Sequence, residues 1–215
     1  MKILREQSSS SIVDGIIGRI IENKEYLSEI DGAIGDGDHG INMSKGMHLA
    51  REALNDADTG LSAAFTTLGK TLVNEIGGSM GPLYGGFFRA FGRSIKGVQT
   101  IAPEEFASML QDGYESVTRL GNAKVGDKTI VDTLEPAVQA FAHEVRESGD
   151  FEKALVAMAH AAEEGKNSTK DLVAKIGRAS RLGERSRGVL DAGATSCWLI
   201  LDELSERAQE LLVDE

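Results

Sequence analysis

Asp31, Asp36 and Asp38 stand within one short glycine-rich stretch, Asp31-Gly-Ala-Ile-Gly-Asp-Gly-Asp-His39-Gly40. Three carboxylates so close repel one another in water unless a divalent cation neutralises them. Oxygen donors without thiolates select a hard ion, magnesium before zinc. Magnesium held by carboxylates keeps open positions for water or phosphate oxygens, so the chemistry to expect is a metal-dependent phosphate site. The alternative is a solvated Gly/Asp turn. Three aspartates together with His39, directly after an apolar helix, favour the metal. A calcium loop needs Gly at its sixth position and a bidentate Glu at its twelfth. Those positions hold Ile41 and Met47 counted from Asp36, and Asp36 and Asn42 counted from Asp31, so neither register fits.

Three further segments carry chemistry. In Ile76-Gly-Gly-Ser-Met-Gly-Pro-Leu-Tyr-Gly-Gly86 the glycines allow successive N–H groups to point one way and form an anion nest, ahead of a helix start. A tight helix–helix turn needing glycine only for packing explains the same residues equally well. Gly121 to Thr129 is a polar glycine loop whose Asp127 or Thr129 can cap a helix. Lys175, Arg178, Arg181, Arg185 and Arg187 crowd one short loop of an acidic chain, and Asp191 to Ser196 follows as a glycine turn into the last helix. Guanidinium groups match phosphate in a bidentate way, so this loop reads as a phosphate lid; paired, solvated surface charge is the competing reading. Gly69-Lys70-Thr71 imitates the end of a Walker A loop, but Ala64 stands where its first glycine belongs and no strand precedes it.

Apolar residues recur at helical spacing almost throughout, and the elements that position these loops follow from that period. Helices are expected over 10–30, 41–54, 61–76, 82–95, 103–121, 129–146 and 151–165, with a short piece over 168–175, and from Ala194 to the C-terminus. The serine run caps the first, and Asp31 ends it. Pro82 and Pro103 suit first-turn positions. Period-two alternation is absent, so no strand is expected. The fold class is all-α, a single domain of about eight helices over residues 1–215.

Composition narrows the rest. The net charge of −11, from 34 acidic and 23 basic residues, gives no footprint for nucleic acid or an anionic membrane. No apolar run approaches the ~18 residues of a membrane span, and the N-terminus lacks a signal-peptide core. The single cysteine, Cys197, excludes an internal disulfide and reads as a small buried hydrophobe. These features favour the cytoplasm.

Taken together, Gly35-Asp-Gly-Asp-His-Gly40 with Asn42 and Met43, Gly77-Gly-Ser-Met-Gly-Pro-Leu-Tyr-Gly85, Gly126-Asp-Lys-Thr129, Gly177-Arg-Ala-Ser180, Gly183-Glu-Arg-Ser186 and Gly193-Ala-Thr-Ser196 closely resemble the nucleotide-binding L subunit of dihydroxyacetone kinase. The resemblance spans nearly the whole chain in order. It implies a barrel of eight antiparallel helices with a nucleotide across one end, and two Mg²⁺ ions on Asp31, Asp36 and Asp38. It places His39, Gly40, Ile41, Asn42, Gly78, Ser79, Met80, Gly121, Ile130, Arg178, Asp191, Ala192 and Gly193 against ADP or ATP. A separate K-type subunit would hold dihydroxyacetone. Met80 departs from the small or hydroxyl residues usual at its position, and Ala192 from proline.

The reaction so implied is phosphoryl transfer, with Arg178 stabilising charge at the phosphates and no general base supplied by this chain. The donor is ATP, or a phosphotransferase-system protein that rephosphorylates a retained ADP. Another short ketose or tetrulose could replace dihydroxyacetone. A non-catalytic nucleotide-binding regulatory subunit and a plain helical adaptor are the alternatives from other classes.

Overall fold

The computed structural model describes residues 1–54 and 60–215. Nine α-helices are found among them: α1 Ser11–Glu22, α2 Lys24–Ile34, α3 His39–Leu54, α4 Leu61–Glu75, α5 Met80–Ser94, α6 Pro103–Gly121, α7 Val131–Ser148, α8 Phe151–Ser168 and α9 Ala192–Leu211. Helix α1 packs on α3, each helix from α3 onward packs on the next, and α9 returns to α1. That closed ring of α1 and α3 to α9 is the expected barrel of eight antiparallel helices. Helix α2 lies outside the ring, against α3 and α9.

The ninth helix arises from a break. A single helix over 10–30 is the expectation, but Asn23 ends α1: its backbone N–H and its side-chain amide both donate to the Arg19 carbonyl, at 3.2 and 2.8 Å. A side-chain amide competing for a helix carbonyl redirects the chain. Asp31 therefore lies inside α2, not at the end of the first helix. The serine run does not cap α1 through a side chain; the Ser9 hydroxyl donates to the Arg5 carbonyl instead. Helix α5 begins at Met80, two residues ahead of expectation, and α7 begins at Val131. The expected piece over 168–175 is a single 3-10 turn over 169–171, and the arginine-rich segment 178–186 is 3-10 helix kinked at Gly183.

Strands correct the sequence reading. Lys2–Arg5 (β1) pairs antiparallel with Thr100–Ile101 (β2) and with Val213–Asp214 (β3). Elements of two to four residues are too short to display alternation, and the burial of β1 runs exposed, buried, buried, exposed.

The core fills the ring with Ile, Leu, Met and Phe from every barrel helix. At the α4–α5 seam the helices approach closely because Gly69, Gly85 and Gly92 face backbone. A Cβ on Gly85 would lie 2.6 Å from the Gly69 carbonyl oxygen, and one on Gly92 2.6 Å from that of Ser62. Phe65, Phe87 and Phe91 pack beside this seam, with the last two ring centroids 4.3 Å apart. Among the described residues no helix is long and apolar enough to cross a membrane.

Candidate functional site

Alternate helices of the ring run the same way, so α3, α5, α7 and α9 bring their N-termini to one end. His39, Met80, Val131 and Ala192, the first residue of each, line two adjoining hollows there. Helix N-termini present unpaired N–H groups and the positive end of the dipole, and four of them make a strong anion site. The α5 start carries no side-chain cap, so its N–H groups remain available.

The first hollow, of about 400 Å³, is polar. Asp31, Asp36, Asp38, His39 and Asn42 form one wall, Gly77 to Met80 another, and Gly177 to Ala179 with Asp191 and Ala192 a third. One oxygen from each of Asp31, Asp36 and Asp38 lies within 4.8 Å of the others, a spacing that suits a shared cation. The turn folds tightly on this cluster: Gly35 N–H donates to the Asp31 carbonyl, and a Cβ at Gly35 would lie 2.5 Å from Asp31 Oδ1. An all-carboxylate set of hard oxygens beside an anion nest fits magnesium. Arg178 reaches across from the arginine-rich segment and pairs with Asp36.

The second hollow, of about 420 Å³, is mainly apolar. Leu83, Val117, Leu120, Ala123, Ile130 and Val131 line it, and it shares Asp31, His39, Ser79, Met80, Ile176, Gly177, Asp191 and Ala192 with the first. A polar lobe continuous with an apolar one is the shape a nucleotide needs, phosphates in one and base in the other.

Behind the shared wall lies a buried polar chain. The His39 imidazole Nε2 is 2.9 Å from Ser196 Oγ, which is 2.6 Å from the Tyr84 hydroxyl. The Tyr84 hydroxyl also lies 3.3 Å from the Gly193 carbonyl oxygen. Burial pushes the His39 pKa down to about 4 against the opposing pull of Asp31, so the ring is neutral. Asp191 caps α9 by accepting from Ala194 N–H at 2.7 Å, and burial pushes its carboxyl up to about 6. Asp132 accepts from Gly126 N–H at 2.6 Å and from Thr129 N–H at 2.7 Å, closing the turn that starts α7.

Most sequence-derived candidates meet here: Asp31, Asp36, Asp38, His39, Asn42, Gly78, Ser79, Met80, Gly121, Ile130, Arg178, Asp191, Ala192 and Gly193 all line one hollow or the other. Gly40 and Ile41 do not. Gly40 is a packing glycine whose Cβ would sit 2.6 Å from Ser28 Oγ, and Ile41 is 53 % exposed on the outer face of α3. The two readings of segment 76–86 divide it: Gly77 and Gly78 face open space, while Gly81 and Gly85 abut backbone. The basic loop divides too. Lys175 pairs with Asp127 and Arg187 with Glu184, and only Arg178 of the five cations lines a hollow. Of the caps expected here, Thr129 Oγ1 accepts from the Val131 N–H that opens α7, at 3.2 Å, while the preceding turn is closed by Asp132, which the sequence did not single out. Tyr84, Ser196 and the apolar lining apart from Met80 and Ile130 were also missed as site residues; Tyr84, Ser196 and Val117 sit at ordinary core positions of their helices.

Residues 33–206 match the DAK2 domain family. The chain is 40 % identical over 183 residues to the ADP-binding subunit DhaL of PEP-dependent dihydroxyacetone kinase 1 of Listeria innocua, covering 85 % of this chain and 86 % of that one. It is 37 % identical over 187 residues to the corresponding Escherichia coli subunit, covering 86 % and 89 %. A D-erythrulose kinase of Mycolicibacterium smegmatis is 36 % identical over 85 % of this chain, which spans 32 % of that longer protein. The fold superposes on the crystal structure of the C. freundii dihydroxyacetone kinase in complex with AMP-PNP and Mg²⁺ with a TM-score of 0.69 and 23 % identity, over 92 % of this chain and 33 % of that one.

Proposed function

This chain belongs to the DAK2 domain family of kinase subunits, and from that premise we propose that it is the ADP- and magnesium-holding subunit of a dihydroxyacetone kinase. The observation that carries the reading is the meeting of three carboxylates within 4.8 Å with four helix N-termini at the head of a two-lobed cavity. The whole chain acts as one L-type domain in the cytoplasm. A separate K-type subunit holds the ketose and completes the site, and a phosphotransferase-system protein restores the phosphate on an ADP that stays bound. Identity of 36–40 % to separate ADP-binding subunits named as PEP-dependent supports the retained coenzyme. The alternative, exchange of free ATP and ADP, has its support in the longer dihydroxyacetone kinase solved with AMP-PNP and Mg²⁺, and the erythrulose kinases make a tetrulose the second candidate substrate.

Asp31, Asp36 and Asp38 would hold two Mg²⁺ ions. Magnesium, when bound, neutralises phosphate charge and orders the diphosphate oxygens. The remaining work falls to the chain. N–H groups at Gly78, Ser79 and Met80 and at the head of α9 bind phosphate oxygens. Arg178, at the mouth, exchanges Asp36 for phosphate and stabilises charge that develops there. Leu83, Val117, Leu120 and Ile130 enclose the base and exclude water from it. His39 is neutral and its Nε2 is engaged by Ser196, so it orients the site without serving as base. Activation of the ketose hydroxyl belongs to the partner chain.

Gel filtration of the purified chain in Mg²⁺ tests the reading. One equivalent of ADP is expected to elute with the protein, and with a K-type partner and dihydroxyacetone the complex is expected to draw phosphate from a phosphotransferase-system donor. Exchange of free ATP with turnover would move the reading to the ATP mode. Failure to transfer phosphate from any donor, with nucleotide still bound, would favour a regulatory subunit.

A further inference from the structure

Lys128 is 1 % exposed, and its ammonium lies among four main-chain carbonyl oxygens. Nζ donates to Thr169 and Leu172 at 2.8 and 3.2 Å and to Ser186 and Val189 at 2.7 and 2.6 Å. An ammonium has three N–H donors, so four acceptors share them as they would share a small cation. Its backbone is held at φ +63, a conformation that a residue with a side chain seldom adopts. A buried charge is kept only where hydrogen bonds replace its hydration, and here they do.

The four carbonyls have a pattern. Two belong to the chain leaving α8 and two to the chain approaching α9, so the ammonium closes both stems of the excursion that carries Gly177 and Arg178 over the cavity. Other bonds lie across the same stems: Gly188 N–H donates to the Lys170 carbonyl at 2.7 Å, Ala174 N–H to Ser186 Oγ at 2.9 Å, and Asp191 N–H to Thr169 Oγ1 at 3.0 Å. Further out, at Arg178, the segment is exposed, and among the described residues its guanidinium pairs with Asp36 alone.

We propose that Lys128 is a positioning residue whose ammonium pins the stems of the 172–189 excursion and so aims Arg178 at the phosphates. The inference rests on the nucleotide reading above for what Arg178 touches. Lys128 borders the second hollow, but its Nζ is taken up by the four carbonyls, so its charge is not offered to the ligand.

Two measurements test it. Hydrogen exchange of the free protein, which needs no ligand, is expected to be at least tenfold faster in Lys128→Met at the amides of Ala174, Gly188 and Asp191, with α4 and α5 unchanged. Unchanged exchange at those stems overturns the proposal. Calorimetric titration with Mg²⁺–ADP is then run on wild type, Lys128→Met, Arg178→Met and the double variant. Lys128→Met is expected to weaken binding about tenfold where Arg178 is present and less than twofold where it is absent. Equal losses in both backgrounds would show a merely structural lysine. If Lys128→Met does not fold, Lys128→Gln, which keeps two donors, is expected to give the same pattern at smaller size, and failure of both to fold also overturns the proposal. A wild type that binds no Mg²⁺–ADP would sink the nucleotide reading while leaving the exchange result standing.

Discussion

Along the α4–α5 seam, Gly69, Gly85 and Gly92 lie where a side chain would strike the backbone of the facing helix, whereas Gly77, Gly78 and Gly177 at the cavity mouth face open space. The seam uses glycine to bring two rods together, and its neighbours are apolar rings. The mouth uses glycine to leave N–H groups and carboxylates uncovered. Charge follows the same division. Between α1 and α9 Arg19 is matched by Asp202, Glu203 and Glu206, so each charge has a partner within the chain. At the mouth three aspartates stand together, and among the described residues the one cation paired with any of them is Arg178, on Asp36. A chain keeps such an imbalance where a ligand completes it, and the stability of the barrel is carried elsewhere.

The largest expected effect breaks that balance at the mouth alone. Asp38→Ala removes one of the three carboxylates proposed to hold magnesium and is expected to weaken Mg²⁺–ADP binding more than about a hundredfold, roughly 3 kcal/mol. Helicity should be unchanged, and the midpoint of thermal unfolding without ligand should stay level or rise as carboxylate repulsion falls. Titration calorimetry and circular dichroism measure both. Normal ADP binding in this variant would remove the cluster from the site.

A smaller effect follows from where titratable groups are buried: the mouth holds His39, while Arg89, the titratable side chain beside the seam glycines, is exposed. The folded pKa of His39, about 4, lies below that of an unfolded imidazole, about 6.5. The unfolded chain therefore binds more protons between those values. Stability from this group is complete above pH 6.5 and is lost as pH falls toward 4. Measured by urea unfolding in a chelator, the wild type is expected to lose up to about 3 kcal/mol relative to His39→Asn across that window. A difference that stays flat with pH would mean that the imidazole is solvated.

The two regions also differ in how far a sequence reveals them. Long helices such as α6 fall on their expected bounds, because apolar period and Pro103 state them twice. The break at Asn23 was not legible, since the apolar period continues across it and only a side-chain bond to Arg19 interrupts the helix. β1 was invisible because its pairing is decided by strands far along the chain, Leu4 opposite Ile101 and Ile3 opposite Val213. At the site, the acidic cluster and the glycine loops announced themselves by residue type. The apolar lobe did not. Val117 has the spacing of a core residue and is one; that it also borders a cavity, with Leu83 of α5 and Val131 of α7, shows only in the folded chain. Lys128 likewise reads only as one residue of a polar glycine loop, and the folded chain shows four carbonyls around it.

The smallest expected effects set the glycines against each other. Gly85→Ala places a methyl against the Gly69 carbonyl and, at 3.0 Å, the Val73 amide nitrogen. Backbone cannot rotate aside, so the helices must part, at about 2 kcal/mol of unfolding free energy. Since the mouth lies beyond this contact, Mg²⁺–ADP affinity of the folded protein should hold within about twofold. Gly78→Ala meets nothing within 4 Å, but φ is +69 there, so the left-handed backbone costs about 1 kcal/mol. Its methyl also enters the nest from which phosphate is to be bound, and affinity should fall about fivefold. Chemical denaturation and titration of both variants thus give opposite orders: the seam variant loses more stability, the mouth variant more affinity. If Gly85→Ala lost affinity as Gly78→Ala does, the seam would be part of the site, and the division between scaffold and mouth would fail.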